Sequence, residues 1–231
     1  MTTALIVELY RQLPRRRKGE SEASWSARLR SATEAFAEAV RQRYTEGTLQ
    51  RLLNGDSVTR QAATLALGLL GTLDSNAPLA ARLHDPDEDV RELASDALWG
   101  IWFRGNDPEQ AEELRRLLRL RDRARLLAAL DAFIEKAPGF AEAINQRAIV
   151  HFQLKQYERS IADCERVLLL NPYHFGAQVG MAQCYLQLRK NRAALKAFRN
   201  ALRLHPTLEG VEETIRALEK TLGEEERREE K

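Results

Sequence analysis

The sequence has few of the residues on which a disulfide framework, a signal peptide or a membrane anchor depends. Only two cysteines, Cys164 and Cys184, occur in 231 residues, and two thiols are too few for a disulfide scaffold. No apolar run approaches the roughly 20 residues of a membrane-spanning helix. Near the N terminus the positive charges follow a very short apolar run instead of preceding it, which is the wrong order for a secretory signal. These absences favour a cytoplasmic protein without membrane insertion.

The chain also has almost no net charge. Its 36 basic and 34 acidic residues leave a formal charge of +2, too small to favour nucleic acid or membrane as a partner. One dense basic patch occurs, and it is a possible anion site: Arg11, Arg15, Arg16, Arg17 and Lys18. Because no aromatic residues for base stacking interleave with it, we favour a solvated loop over a nucleic-acid site.

Residues that could form an active site are sparse and scattered. The four histidines, at positions 84, 151, 174 and 205, have no helical metal-binding spacing, and no Gly-rich phosphate loop is present. Gly68 and Gly71 are better explained by close helix packing or a helix end. The sequence therefore predicts no catalytic residue, no metal and no cofactor.

Two internal repeats dominate the sequence. Pro138, Pro172 and Pro206 stand 34 residues apart, and small residues recur at the same offset, as in Ala148 and Ala182. We expect Ala148, Ala182 and Ala194 to lie where helices cross closely. Ala, Leu, Glu, Arg and Gln dominate, and apolar residues recur every three or four positions, which predicts helices throughout.

A second internal repeat, with a period of 31 residues, lies between Leu49 and Trp102. We refer to it as the 31-residue echo. It pairs Asp56 with Asp87, Arg60 with Arg91, Ala63 with Ala94, Ala66 with Ala97 and Leu67 with Leu98. In its second copy Asp85 is expected to cap a helix that begins at Pro86, with acidic residues at its positive end.

The two periods resemble two known repeat families. The Asp85-Pro86-Asp87 start and the following Val90-Arg91 are similar to short bacterial HEAT-like repeats. The 34-residue register, with its small residues and closing prolines, closely resembles tetratricopeptide (TPR) repeats. The stretch from Leu98 through Trp102, followed by Asn106-Asp107, is similar to a group of small bacterial TPR proteins without an assigned biochemical activity.

Together these patterns predict an all-α, right-handed α-solenoid in which each repeat packs on its neighbours. Leu114 and Leu126 stand where TPR units carry small residues, so the first of three TPR units should be degenerate. Trp99 and Trp102 are expected to cement the junction of the two repeat types, with a binding hot spot as the alternative. The predicted segments are N-terminal helices 1–46, HEAT-like repeats 47–106, a TPR array with a C-terminal capping helix 107–222, and a charged tail 223–231 that frays.

The resemblance to TPR proteins also implies a binding face, because the first helix of each unit lines a concave groove. The residues that this implies are Asn145, Ile149, Phe152, Gln153, Val179, Gln183, Leu186 and Gln187. Amides on such a face can bind the backbone of an extended peptide. The lysines and arginines with which chaperone-binding TPR proteins grip a terminal carboxylate are missing, which argues against a carboxylate-clamp co-chaperone.

Three classes of function stay open on the sequence. A non-catalytic adaptor that binds a protein or peptide partner is the leading hypothesis. A nucleic-acid or anionic-surface binder acting through the basic patch is the second. An enzyme similar to HEAT-type lyases or glycosylases is the third, and it is least favoured because those enzymes have longer repeat arrays.

Overall fold

The computed structural model describes residues 5–105 and 107–229. Within these ranges the chain forms thirteen α-helices and one short 3₁₀ helix, and no strand, so the predicted all-α solenoid class is confirmed. The chain divides into two units, Met1–Ile101 and Trp102–Lys231. This division falls inside one helix, a few residues before the predicted boundary after residue 106, and Asn106 itself lies outside the described residues.

The first unit contains the N-terminal helices and the 31-residue echo. Its helices are α1 Leu5–Arg11, α2 Glu22–Arg41, α3 Glu46–Leu52, α4 Ser57–Leu70, a 3₁₀ helix Leu73–Ser75, α5 Asn76–Arg82 and α6 Glu88–Arg104, the last of which continues past the division. α1 falls within the predicted helix 2–13, of which residues 2–4 lie outside the described ranges.

The second unit contains the 34-residue register. Its helices are α7 Pro108–Leu117, α8 Arg123–Lys136, α9 Ala141–Gln153, α10 Tyr157–Leu170, α11 Phe175–Gln187, α12 Asn191–Leu204 and α13 Val211–Glu229. Consecutive helices contact one another from α7 to α13, and α9 also contacts α11.

The 31-residue echo is visible in the hydrogen bonds of the first unit. Asp56 accepts a bond from the backbone N–H of Thr59 at the start of α4, and Asp87 accepts one from Val90 at the start of α6. These bonds satisfy backbone donors that a helix leaves free at its first turn. Paired positions of the repeat therefore have the same capping role.

The prediction that Asp85 caps α6 is wrong, because α6 begins at Glu88 and Asp87 caps it. Asp85 is instead a buried ion-pair partner. Its carboxylate accepts two bonds from Arg60, at 2.9 and 2.8 Å, and one from Arg82 at 3.2 Å. Burial opposes the ionisation of Asp85, but these guanidinium groups and the Asp87 backbone N–H outweigh it, so the pKa of Asp85 is lowered.

Gly68 lets α4 and α6 approach each other closely, as the sequence predicted. A Cβ atom at position 68 would lie 2.8 Å from the Cβ of Ala97, and one at Gly100 would lie 2.9 Å from the Gly68 carbonyl oxygen. Those separations are shorter than van der Waals contact allows. The small residues at this crossing are therefore a steric requirement of the packing.

The three prolines of the 34-residue register each follow the residue that ends a helix. Asn171 and His205, the C-cap residues directly after α10 and α12, share nearly the same backbone angles, φ −140°, ψ 90° and φ −138°, ψ 92°. The residue before a proline is restricted to this extended region, which stops the helix. Lys155 and Arg189, also 34 residues apart, both have positive φ values, of 59° and 56°. The repeat therefore extends to the backbone conformation of its turns.

Small side chains occupy the helix crossings of the second unit, as predicted. Ala148, Ala182 and Ala194 are buried. Ser160 of α10 donates a hydrogen bond to the carbonyl oxygen of Ala148 in α9, at 2.8 Å. In the first hairpin, where small residues were expected, Leu114 is fully buried and Leu126 is half-buried, in keeping with a unit that departs from the pattern.

The C-terminal helix caps the second unit with one apolar stripe. Val211, Ile215 and Leu218 of α13 are buried against residues of α11 and α12. The expectation that the chain frays from residue 223 is wrong for residues 223–229, because α13 continues to Glu229. Glu and Arg have high helix propensity, which favours this extension of the helix. Residues 230 and 231 lie outside the described ranges.

Candidate functional site

The predicted binding face is partly formed by α9. Ile149 is 42% exposed in the middle of the helix, an unusual position for a large aliphatic side chain in a packed array. Phe152 lies one turn further and is half-buried, and Gln153 beside it is exposed. Residues three and four positions apart share one side of a helix, so these side chains form one continuous surface.

The corresponding positions of α11 have the same character. Val179 and Leu186 are half-buried, whereas Gln183 and Gln187 are exposed. The Tyr157 hydroxyl group at the start of α10 donates to Oε1 of Gln187 over 3.4 Å. Since α9 contacts α11, the two helices together present apolar side chains and side-chain amides to solvent.

The ring of Tyr157 also contacts Phe152 edge to face, with centroids 5.6 Å apart. Its hydroxyl group reaches α11 while its ring reaches α9, so one side chain ties both helices together at this surface. We refer to the exposed side of Ile149, Phe152, Gln153, Val179, Gln183, Leu186 and Gln187 as the α9–α11 face.

Asn145 does not belong to this face, which corrects the sequence prediction. It is only 4% exposed, and its Nδ2 donates to Oε1 of Glu142 over 3.2 Å. The side chain is buried beside a buried carboxylate, so its amide is not presented to a peptide in solvent. Repeat position alone does not reveal this, because the acid responsible lies on the same helix and has no acidic counterpart in the next unit, where Gly176 stands.

That carboxylate belongs to a buried polar cluster in the second unit. His174, just before α11, lies 3.0 Å from Oε2 of Glu142, and neither side chain is exposed. The ring of Trp102 stacks on the ring of His174, with centroids 4.2 Å apart and planes 18° apart. Enclosure removes the pair from any substrate, so its role is to join helices.

A second polar cluster, centred on Arg147, joins α8, α9 and α10. Its guanidinium group donates to both carboxylate oxygens of Asp163, at 2.8 and 2.6 Å, and to Asp131 at 2.8 Å. The hydrogen bonds with Asp163 are the main cause of a raised Arg147 pKa. Bidentate guanidinium–carboxylate pairs fix geometry as well as energy, so this cluster sets the orientation of α9.

The two thiols are structural. Cys164 and Cys184 are buried, and desolvation raises the pKa of Cys164 to about 12 and also raises that of Cys184. A thiol held in its protonated form is a poor nucleophile. Across residues 5–105 and 107–229, no group of three or more His, Cys, Asp or Glu side chains is placed to hold a metal ion. None of the described helices is both long enough and apolar enough to cross a membrane.

Comparison with known families finds one match for the 31-residue repeat and another for the 34-residue repeat. The family model for HEAT repeats matches residues 45–133, and the one for the tetratricopeptide repeat matches residues 141–174. The HEAT match includes the α7–α8 hairpin, which the sequence analysis assigned to a degenerate first TPR unit. A TPR repeat-containing protein of Rhizobium etli is 33% identical over 149 residues, covering 61% of this chain and 70% of that protein. The chain belongs to the tetratricopeptide repeat proteins.

Among solved structures, this tetratricopeptide repeat protein is similar to the first TPR of Spaghetti (RPAP3), determined with an HSP90 peptide, SRMEEVD. The TM-score is 0.46 at 18% identity, and the match covers 50% of this chain and 91% of that chain.

In this tetratricopeptide repeat protein, some cations of the basic patch lie beside carboxylates. Arg16 forms an ion pair with Glu22 at 2.9 Å, and the backbone N–H of Arg17 donates to Glu20 at 3.0 Å. The patch is therefore interleaved with carboxylates, which weakens it as a site for a polyanion. Arg11 and Arg15 are exposed and line a cleft with apolar walls.

A basic stripe on α12 was missed in the sequence analysis. It consists of four exposed cations at helical spacing, Arg192, Lys196, Arg199 and Arg203, beside a hollow of about 400 Å³. Arg199 is paired with Glu219 at 2.6 Å. The sequence shows these cations three and four positions apart, which indicates one side of a helix. The small net charge of the whole chain gave no indication of this local basic surface.

Proposed function

We propose that this tetratricopeptide repeat protein is a non-catalytic adaptor that binds an extended peptide or protein segment along the α9–α11 face. The observation that carries the proposal is the combination of an exposed Ile149 and a half-buried Phe152 with side-chain amides on both helices. Apolar side chains supply contact area for anchor residues of a partner. Amides supply donors and acceptors for its backbone.

Rigidity of the supporting structure favours this role. Arg147 fixes α9 to its neighbours through two carboxylates, and Tyr157 connects Phe152 to Gln187. A face held in place before binding loses little conformational freedom when a partner docks. The buried Glu142 and His174 have no exposed side-chain surface, so they join helices of this unit without contacting a ligand.

The test is photo-crosslinking in the native host. Benzoylphenylalanine in place of Gln183 should capture the partner, and the same group in place of the exposed Glu165 of α10 is the positional control. The partner's affinity is then measured for Phe152→Ala and Gln183→Glu. Each change should weaken binding by about 1–2 kcal/mol, or about 5- to 30-fold.

Leu169→Ala is the matched apolar truncation, because Leu169 of α10 is 86% exposed and lies outside the α9–α11 face. It should leave affinity unchanged. Full binding by both face variants would overturn the proposal. If Arg16→Ser and Arg17→Ser abolish binding and flatten its salt dependence instead, the partner is a polyanion held by the basic patch.

A further inference from the structure

A cleft of about 870 Å³ lies in the first unit, between α1 with the loop after it and helices α2, α4 and α6. Its walls include Trp25 and Leu29 of α2, Leu65 of α4 and Leu93 of α6, all only half-buried. The cleft therefore exposes a contiguous apolar surface, of the kind that marks interaction sites. Its volume lies in the range of ligand pockets, roughly 300–1,000 Å³.

Two cations stand at one side of the cleft. Arg11 ends α1 and Arg15 lies in the following loop, and both side chains are exposed. Neither guanidinium group forms an ion pair with a described residue, although the charge of Arg11 is one of the lesser causes that lower the pKa of Asp56. Their neighbours Arg16 and Arg17, by contrast, do not line the cleft, and Arg16 is paired with Glu22.

Asp89 of α6 and Tyr10 of α1 also line the cleft. The Asp89 carboxylate accepts a bond from Nε2 of Gln61 at 3.3 Å. Burial, followed by the charges of Asp89 and Asp87, raises the pKa of Tyr10. A carboxylate can accept a hydrogen bond from a ligand, and a protonated phenol can donate one.

Arg28 holds the cleft in shape before any ligand enters. Its guanidinium group forms two bonds to Glu20, at 3.0 and 2.7 Å, and donates to the carbonyl oxygen of Arg15 at 2.9 Å. It also lies 5.2 Å from the centre of the Trp25 ring, a cation–π contact. One side chain thus fixes both the aromatic wall and the backbone that carries a rim cation.

From this arrangement we infer that the cleft binds a peptide segment that carries a bulky apolar side chain beside an acidic one. The apolar side chain fills the space beside Trp25 and Leu65, and the acid pairs with Arg11 and Arg15. Asp89 accepts a backbone N–H of the same segment. This site lies in the first unit and does not depend on the α9–α11 face.

A peptide matches the cleft better than a polyanion does. Nucleic acid presents a row of phosphate acceptors, which would meet Asp89 and leave the apolar walls uncovered. A peptide brings backbone donors for Asp89, acidic side chains for the two arginines and an apolar side chain for the walls. Charge and shape therefore point to the same class of ligand.

The probe is a bead library of random hexapeptides, screened against the wild-type chain and against Arg11→Ser/Arg15→Ser. Arg16→Ser/Arg17→Ser is the matched control, because it removes an equal charge from the loop beside the cleft, and neither residue lines the cleft. We expect that some peptides bind the wild type and the control but not Arg11→Ser/Arg15→Ser. The sequences of these peptides should contain Phe, Leu or Trp beside Asp or Glu. For each of them, the Arg11→Ser/Arg15→Ser variant should raise Kd about tenfold, whereas the control should change it less than twofold.

A second variant tests the apolar wall. Trp25→Ala should weaken the same peptides, while Trp25→Leu, which keeps an apolar side chain, should restore much of the affinity; helical circular dichroism checks that both variants fold. The inference is overturned if no peptide distinguishes the wild type from Arg11→Ser/Arg15→Ser. It is also overturned if both arginine pairs contribute equally, since that result describes a diffuse electrostatic surface that would hold an oligonucleotide as well.

Discussion

His174 donates the Nε2 proton of its ring to the carboxylate of Glu142, 3.0 Å away, although both side chains are completely buried. The tautomer follows from the other ring nitrogen, because Nδ1 accepts the backbone N–H of Ala177 at 3.0 Å. One imidazole therefore caps α11 and binds the first turn of α9. This pair is a buried polar connection between two successive TPR units.

Removing that carboxylate should destabilise the second unit. Glu142→Ala leaves the buried donors of His174 and Asn145, and the half-buried one of Gln146, without their acceptor. We expect a loss of about 2–4 kcal/mol in unfolding free energy, measured by urea denaturation. Glu165→Ala, at an exposed position of α10, should cost less than about 0.5 kcal/mol. Equal stability of the two variants would show that the buried pair contributes nothing.

The ion pair of Asp85 with Arg60 should make the first unit sensitive to acid. The pKa of Asp85 is lowered from its ordinary value of 3.8, so its stabilising contribution is complete above that pH. It is lost as the pH falls through the lower pKa of the folded state. Asp85→Asn should therefore cost about 2–3 kcal/mol near pH 7 and clearly less near pH 3.

Urea denaturation at both pH values measures this difference. Asp96→Asn removes an equal charge from an exposed position of α6. Its difference in stability from the wild type should not shrink between pH 7 and pH 3. A stability gap for Asp85→Asn that stays constant from neutral to acid pH would contradict the assignment.

The turns of the 34-residue register could be predicted from sequence, because each depends on a proline and the residue before it, and the prolines do follow helix ends. The cap of α6 was predicted two residues too early, at Asp85 instead of Asp87, because several acidic residues of that stretch are possible caps. The His174–Glu142 pair could not be predicted in this way. Its partners are 32 residues apart, and neither has an equivalent in the neighbouring units, so periodicity contains no information about it.

The α9–α11 face was predictable only in part, for the same reason. Its exposed amides follow from helical spacing, whereas the loss of Asn145 to a buried carboxylate depends on a contact specific to one unit. The cleft beside Trp25 depends on how α1 and its loop pack on α2, α4 and α6, which local patterns do not determine.

Position 182 tests the close crossing of the TPR helices. Ala182 has no exposed surface, so Ala182→Leu must force its neighbours apart. We expect a loss of about 1–3 kcal/mol, seen as a lower melting temperature. Gln183→Leu adds a similar side chain one residue later, at an exposed site, and should leave the melting temperature nearly unchanged. Identical melts for both variants would mean that the assigned register is wrong.

Position 68 tests the approach of α4 to α6. In Gly68→Ala the new methyl group would lie 2.8 Å from the Cβ of Ala97, so the helices must separate, at a cost of about 1–3 kcal/mol. Gly47→Ala in α3 is the matched control, because the nearest atom is the end of the Arg51 side chain at 3.9 Å. Thermal denaturation should rank the control at or above the wild type, and a Gly68→Ala protein as stable as the control would disprove the close contact.

In both copies of the 31-residue echo, an arginine of the helix donates a hydrogen bond to the turn just before that helix. Arg60 donates to the carbonyl oxygen of Gly55 at 3.0 Å, and Arg91 donates to that of Pro86 at 3.2 Å, the same bond one repeat later. Because donor and acceptor both lie inside the repeated segment, an inserted copy of that segment would contain both partners of this hydrogen bond. This turn bond thus belongs to each copy alone, whereas the ion pair of Arg60 with Asp85 joins one copy to the next.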